Sequence, residues 1–197
     1  MLQLPESILL SGFGPFGPHH SNPSGLIARA LHNSRIGSFL IRGLELDVDW
    51  LLAERQLKAA LIQHPQIRAV LLCGLADTNT IRIESRARNL AGGQPDNRGY
   101  CQSGRLDERG ADSYSTNISI ADLLAIQHST SLPVCESSDA GAYLCNAAYY
   151  YIRNRHPGLP AVFIHLPARS EQELTVIVES ALNIIAGLIA PQKAPGP

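Results

Sequence analysis

Three short runs of this 197-residue chain are almost continuously apolar: residues 7–11 (S-I-L-L-S), 67–73 (I-R-A-V-L-L-C) and 161–166 (A-V-F-I-H-L). A strand with one wet face alternates, so runs that do not alternate belong to strands covered on both faces, the mark of a parallel sheet between helices. The segments between them carry helical signals. Asn22-Pro23 offers an N-cap and a proline for the first helical position, predicting a helix to about Leu31. Residues 39–48 read as a strand, 50–62 have helical spacing through Leu51, Leu52, Leu57, Ala60 and Leu61, and 119–127 read as a further helix before a strand at 132–136. Ser170 to Glu173 reads as a capping box opening a last helix to about Ile189. The expectation is an α/β fold, a three-layer α/β/α sandwich with a mostly parallel twisted sheet. One catalytic domain would span residues 1–190, followed by a flexible Pro-rich tail at 191–197.

With 45% apolar residues the chain can bury one substantial core. The net charge of -1 and the lack of any Lys or Arg run leave no basic stripe for nucleic acid. The start carries Glu6 and no basic region, and the late apolar run at 184–190 is too short to cross a bilayer, so a cytoplasmic protein without a membrane partner is expected. Cysteines 73, 101, 135 and 145 lie far apart with no C-x-x-C pair, which indicates neither a disulfide framework nor a metal site. No cofactor is expected.

Residues 137–146 (S-S-D-A-G-A-Y-L-C-N) turn from a polar, Gly-containing approach into a helical pattern reaching about Arg155, placing Cys145 in the opening turns. Unpaired N–H groups and the positive end of the macrodipole stabilise a thiolate there, although a buried Cys is also simply a small apolar residue. His165 closes the apolar run 161–166, at the sheet edge where ligands bind, yet such a histidine is often only a satisfied core residue. Residues 81–90 (I-R-I-E-S-R-A-R-N-L) alternate, with Glu84 alone among Arg82, Arg86 and Arg88, either an orienter of the imidazole or part of a solvated face. The loop after the first run contains a literal G-x-G-x-x-G at Gly12, Gly14 and Gly17, but Pro15 and Pro18 delay the helix, so a dinucleotide site does not follow. Phe13 and Phe16 on that loop are candidates to line an apolar pocket. Residues 91–116 form a long polar excursion with a possible hairpin, long enough to argue for function.

Taken together, G-F-G-P-F-G with N-P-S (residues 12–17 and 22–24), I-E with Asn89 beyond, P-D-N-R-G (95–99), A-G-A-Y-L-C-N (140–146) and F-I-H-L-P with Glu171-Gln172 resemble the pyroglutamyl peptidase I family, in its order and over nearly the whole chain. The resemblance implies an α/β/α sandwich, a triad of Glu84, Cys145 and His165, and removal of an N-terminal pyroglutamate from small peptides. It places Phe13, Phe16 and Tyr143 around the lactam ring and implies a homo-oligomer, a tetramer. The chain departs from the family at Asn79, Ser85 and Gly93, where arginines are expected, and at Ser138-Asp139. Weaker or looser specificity follows unless Arg82, Arg86 or Arg88 reaches in. A Cys/His acyl hydrolase or amidase of other specificity, or a non-catalytic binding homologue, remain alternatives.

Overall fold

Strand β1 (Ser7–Phe13) is buried along its whole length and lies between β3 (Phe39–Leu46) and β4 (Ile67–Leu75), both parallel to it. The computed structural model describes residues 5–17 and 20–190, so the expected tail at 191–197 lies outside the described residues. In chain order the elements around these strands are α1 (Pro23–Ala30), β2 (Arg35–Ile36), α2 (Leu52–Gln63), β5 (Ile81–Glu84), β6 (Arg86–Arg88), β7 (Ala91–Pro95), β8 (Cys101–Gly104), β9 (Ser113–Ser115) and α3 (Ile120–Leu123). There follow a 3-10 turn to Ser129, β10 (Val134–Ser137), α4 (Leu144–Arg155), β11 (Ala161–Leu166) and α5 (Glu171–Ile189). Seven strands form one sheet in the order β10-β5-β11-β4-β1-β3-β2.

Helices cover both faces, as the non-alternating runs require. Ile27 and Ala28 of α1 with Leu174, Ile177 and Leu182 of α5 pack on one side. Ala53 and Leu57 of α2 with Ala148, Tyr149 and Ile152 of α4 pack on the other. By length and composition α5 is apolar enough to cross a membrane. Its stripe at Leu174, Ile177, Val178, Ala181, Leu182, Ile185 and Ala186 recurs at helical spacing and is buried against the sheet, the pattern of a core helix. Only half of its capping box forms: the Ser170 hydroxyl accepts from the Glu173 N–H at 3.3 Å and donates to the Glu173 carboxylate at 3.1 Å.

Residues 81–90 differ from a single alternating strand. The run breaks at Ser85, whose N–H and hydroxyl both turn to the Ser137 carbonyl, at 2.7 and 3.1 Å. The first half, β5, joins the sheet parallel to β10 but antiparallel to β11, making the sheet mixed. The second half, β6, leaves it to pair with β9, and β7 and β8 form the hairpin of the long excursion. Buried polar side chains hold that excursion. Asn89 accepts from the Leu106 and Asp107 N–H groups, and Asp96 accepts from Trp50, Arg98 and Tyr100.

Candidate active site

The direction of β5 brings Glu84 to His165. In the antiparallel pair His165 stands opposite Arg82 and Phe163 opposite Glu84, so Glu84 is the diagonal neighbour of His165 on the same face. His165 Nδ1 lies 2.7 Å from Glu84 Oε1, and the two residues are 6% and 0% exposed, which excludes the solvated-face reading of Glu84. The imidazole also packs at a tilt against the Phe163 ring, 4.7 Å between centroids, so it is held from two sides.

Cys145 is the second residue of α4, whose N-cap is Tyr143. Its thiol reaches the sheet because β4 carries Gly74 directly beside His165. A Cβ at position 74 would lie 2.8 Å from Cys145 Sγ and 2.8 Å from Phe163 Cζ. Burial pulls the His165 pKa down, but hydrogen bonds and charge from Cys145 and Glu84 outweigh it and raise it to about 9. Since Glu84 takes Nδ1, Nε2 is the nitrogen left for sulfur.

Cys145 and His165 line a cavity of about 970 Å³, together with Phe13, Phe16, Tyr143 and Arg82, with Glu84 buried behind the imidazole. Each wall is tied in place. Asn22 caps α1 by accepting from the Ser24 N–H at 3.1 Å and donates to the Gly14 carbonyl at 3.2 Å, while Ser24 Oγ accepts from the Phe13 N–H at 3.1 Å. Asn97, on the turn of the excursion, donates to the Pro15 carbonyl at 2.8 Å. The Tyr143 hydroxyl donates to the Pro95 carbonyl at 2.9 Å, and its ring meets Trp50 edge-on at 5.5 Å. Burial raises the Tyr143 pKa, which keeps that hydroxyl a donor.

Among the departures, Gly93 adopts φ +77°, a conformation that an arginine in its place would strain to reach. Arg86 is exposed, and Arg88 donates to Asp139 and to the Gly141 carbonyl, clamping the turn ahead of Cys145, so neither enters the cavity. Arg82 does. Sequence reasoning missed the part played by Gly74, although a lone glycine inside an apolar strand is a signal of close approach. It also left Asn146 unexplained. That side chain accepts from the Arg88 N–H at 2.8 Å and donates to the Arg88 and Leu90 carbonyls at 2.8 and 2.9 Å, fastening α4 to the chain beyond Glu84. Asn146→Ala strands three backbone groups and is expected to cost about 3 kcal/mol, read from the urea midpoint at unchanged m-value.

A cysteine at a helix start, a histidine beside it and a buried carboxylate behind the histidine, at the carboxyl edge of an α/β/α sheet, are the parts of a cysteine hydrolase. Comparison with known proteins narrows the class. The pyroglutamyl peptidase family profile matches residues 6–184. The chain is 32% identical to the pyrrolidone-carboxylate peptidase of Oceanobacillus iheyensis over 176 residues, covering 86% of this chain and 88% of that one. It is 32% identical to that of Lactobacillus helveticus over 167 residues, covering 81% and 82%. Among solved structures it is similar to Bacillus amyloliquefaciens pyroglutamyl peptidase I, with TM-score 0.85, 26% identity and coverage of 92% and 97%. A mutant pyrrolidone carboxyl peptidase from P. furiosus shares the fold, with TM-score 0.87, 24% identity and coverage of 93% and 100%. The chain belongs to the pyroglutamyl peptidase family, the cysteine-type omega peptidases.

Proposed function

We propose that residues 1–190 form one catalytic domain that removes the N-terminal pyroglutamyl residue from small peptides, without metal or cofactor, using Cys145, His165 and Glu84. The observation that carries this is the arrangement at one sheet edge: the thiol over Gly74, the imidazole beside it and Glu84 2.7 Å behind. His165 takes the Cys145 thiol proton as Sγ attacks the pyroglutamyl carbonyl, and the first-turn N–H groups of α4 supply donors for the oxyanion. The scissile C–N bond breaks as His165 gives its proton to the leaving amine, leaving a thioester. Water, deprotonated by His165, then attacks the thioester and releases pyroglutamate and the thiol. Glu84 fixes the ring orientation and balances the imidazolium charge. Phe13, Phe16 and Tyr143 flank the lactam ring. A cytoplasmic homo-oligomer, a tetramer by family resemblance, completes the proposal, and light scattering tests its assembly.

The test is turnover of a chromogenic pyroglutamyl amide against matched prolyl and acetyl amides. Release from the pyroglutamyl amide alone supports the proposal, whereas turnover only of the others points to an amidase of different specificity. The pH profile adds a second check. A His pKa raised in the folded state gives a stabilisation that is complete below about pH 6.5 and lost as pH rises through about 9. The acid that protonates the leaving amine is lost over the same range. kcat/KM is therefore expected to fall above about pH 9, and a profile flat to pH 11 would remove His165 from that role.

A further inference from the structure

Arg82 is a charged residue of the cavity, opposite His165, that the reaction above does not use. It stands opposite His165 across the β5–β11 pair, two residues before Glu84 on the same face, and its half-buried side chain lines the cavity. Its Nε is buried without a partner, and among the described residues the guanidinium makes no ion pair or hydrogen bond. Of the acidic residues at the site, Glu84 is bound to His165 and Asp139 to Arg88, while Asp77, exposed on the loop from β4 to β5, lines the same cavity without an ion pair to Arg82. A half-buried guanidinium whose Nε has no partner gains when a ligand supplies a counter-ion, and its forked donors match a carboxylate.

The pyroglutamyl ring offers a guanidinium a neutral carbonyl acceptor but no counter-ion. The leaving residue does carry charge. Its amide nitrogen must stand beside His165 to receive the proton, and in a pyroglutamyl dipeptide the free α-carboxylate carbon lies only two bonds from that nitrogen, about 2.5 Å away. Opposed residues of an antiparallel pair are about 5 Å apart, well within the span of an arginine side chain. The cavity, at about 970 Å³, also sits near the upper end of the range for small-ligand sites, roughly 300–1,000 Å³, leaving room beyond the lactam.

We infer that Arg82 binds the α-carboxylate of the residue that follows pyroglutamate, so that the preferred substrates are pyroglutamyl dipeptides with a free C-terminus. The inference rests on the proposed peptidase reaction and makes Arg82 a specificity-determining residue.

The test compares pyroglutamyl-alanine with pyroglutamyl-alaninamide on the wild type, Arg82→Gln, Arg82→Lys and the exposed-residue control Arg86→Gln. The wild type is expected to favour the free acid about tenfold or more, mainly through KM. Arg82→Gln should bring the ratio to about one, Arg82→Lys should keep part of it, and Arg86→Gln should leave the ratio as it was. Equal use of both substrates by the wild type overturns the inference, as does an equal loss on both in Arg82→Gln. If the wild type turns over neither, the peptidase reading fails, and calorimetric titration of the same two compounds into Cys145→Ala decides Arg82 alone. Tighter binding of the acid, lost on adding Arg82→Gln, supports its role; equal affinities refute it.

Discussion

Cys145→Ala is expected to lower kcat for a pyroglutamyl amide by about a thousandfold or more, while the protein stays folded. Removing the nucleophile of a triad abolishes the covalent route altogether, and what survives comes from binding and oxyanion donors. The remaining parts of the site do not depend on sulfur for their positions. His165 keeps its bond to Glu84 and its contact with Phe163, and Asn146 still ties the helix to Arg88 and Leu90. Alanine is also the best helix former, so a half-buried thiol at the second helical position should be replaced at a cost of about 1 kcal/mol or less. Turnover measured beside a urea titration separates the two effects. Activity above a tenth of wild type would remove Cys145 from the chemistry.

Gly74→Ala should come second in size, about a hundredfold in kcat/KM, without replacing any side chain of the proposed triad. The new methyl would lie 2.8 Å from both Cys145 Sγ and Phe163 Cζ, closer than carbon atoms tolerate, so something must move. The Phe163 ring cannot yield easily, being fully buried between Tyr149 and His165, with centroids at 6.2 and 4.7 Å. The thiol yields instead, and a displacement of about 1 Å from the imidazole is worth about a hundredfold in rate. Stability should drop by no more than about 2 kcal/mol, since alanine suits a strand better than glycine and offsets part of the overpacking. In the Cys145→Ala background the stability loss should shrink, because one of the two clashing atoms is gone. A Gly74→Ala enzyme with wild-type rate, or a double variant no more stable than additivity predicts, would show that the thiol does not rest where its contacts place it.

Much of this was readable in the chain because local chemistry and burial agreed. The apolar runs became β1, β4 and β11, Asn22-Pro23 opened α1, and the polar approach to Cys145 became the turn before α4. Glu84, Cys145 and His165 do converge, and Phe13, Phe16 and Tyr143 do line the cavity beside them. What stayed hidden depends on tertiary pairing. Nothing local in I-R-I-E states that β5 runs against β11, since alternation is the same in either direction. Arg82 could therefore not be told from Arg86 and Arg88, and the roles of Asn89 and Asp96 in anchoring the excursion, and of Asn146 in fastening α4, needed partners 17 to 58 residues away to become visible.

The antiparallel seam between β5 and β11 makes the site all-or-none with respect to chain length. Deleting one residue from residues 81–84 would turn Ile83 toward His165 and send Glu84 into the opposite layer, since side chains alternate along a strand. A slip of two would keep the face but seat Arg82 where Glu84 stands, putting a cation behind the imidazole. Only one threading of these four residues leaves a carboxylate there, so a change of length near this seam keeps the site only where the loop from 77 to 80 absorbs it.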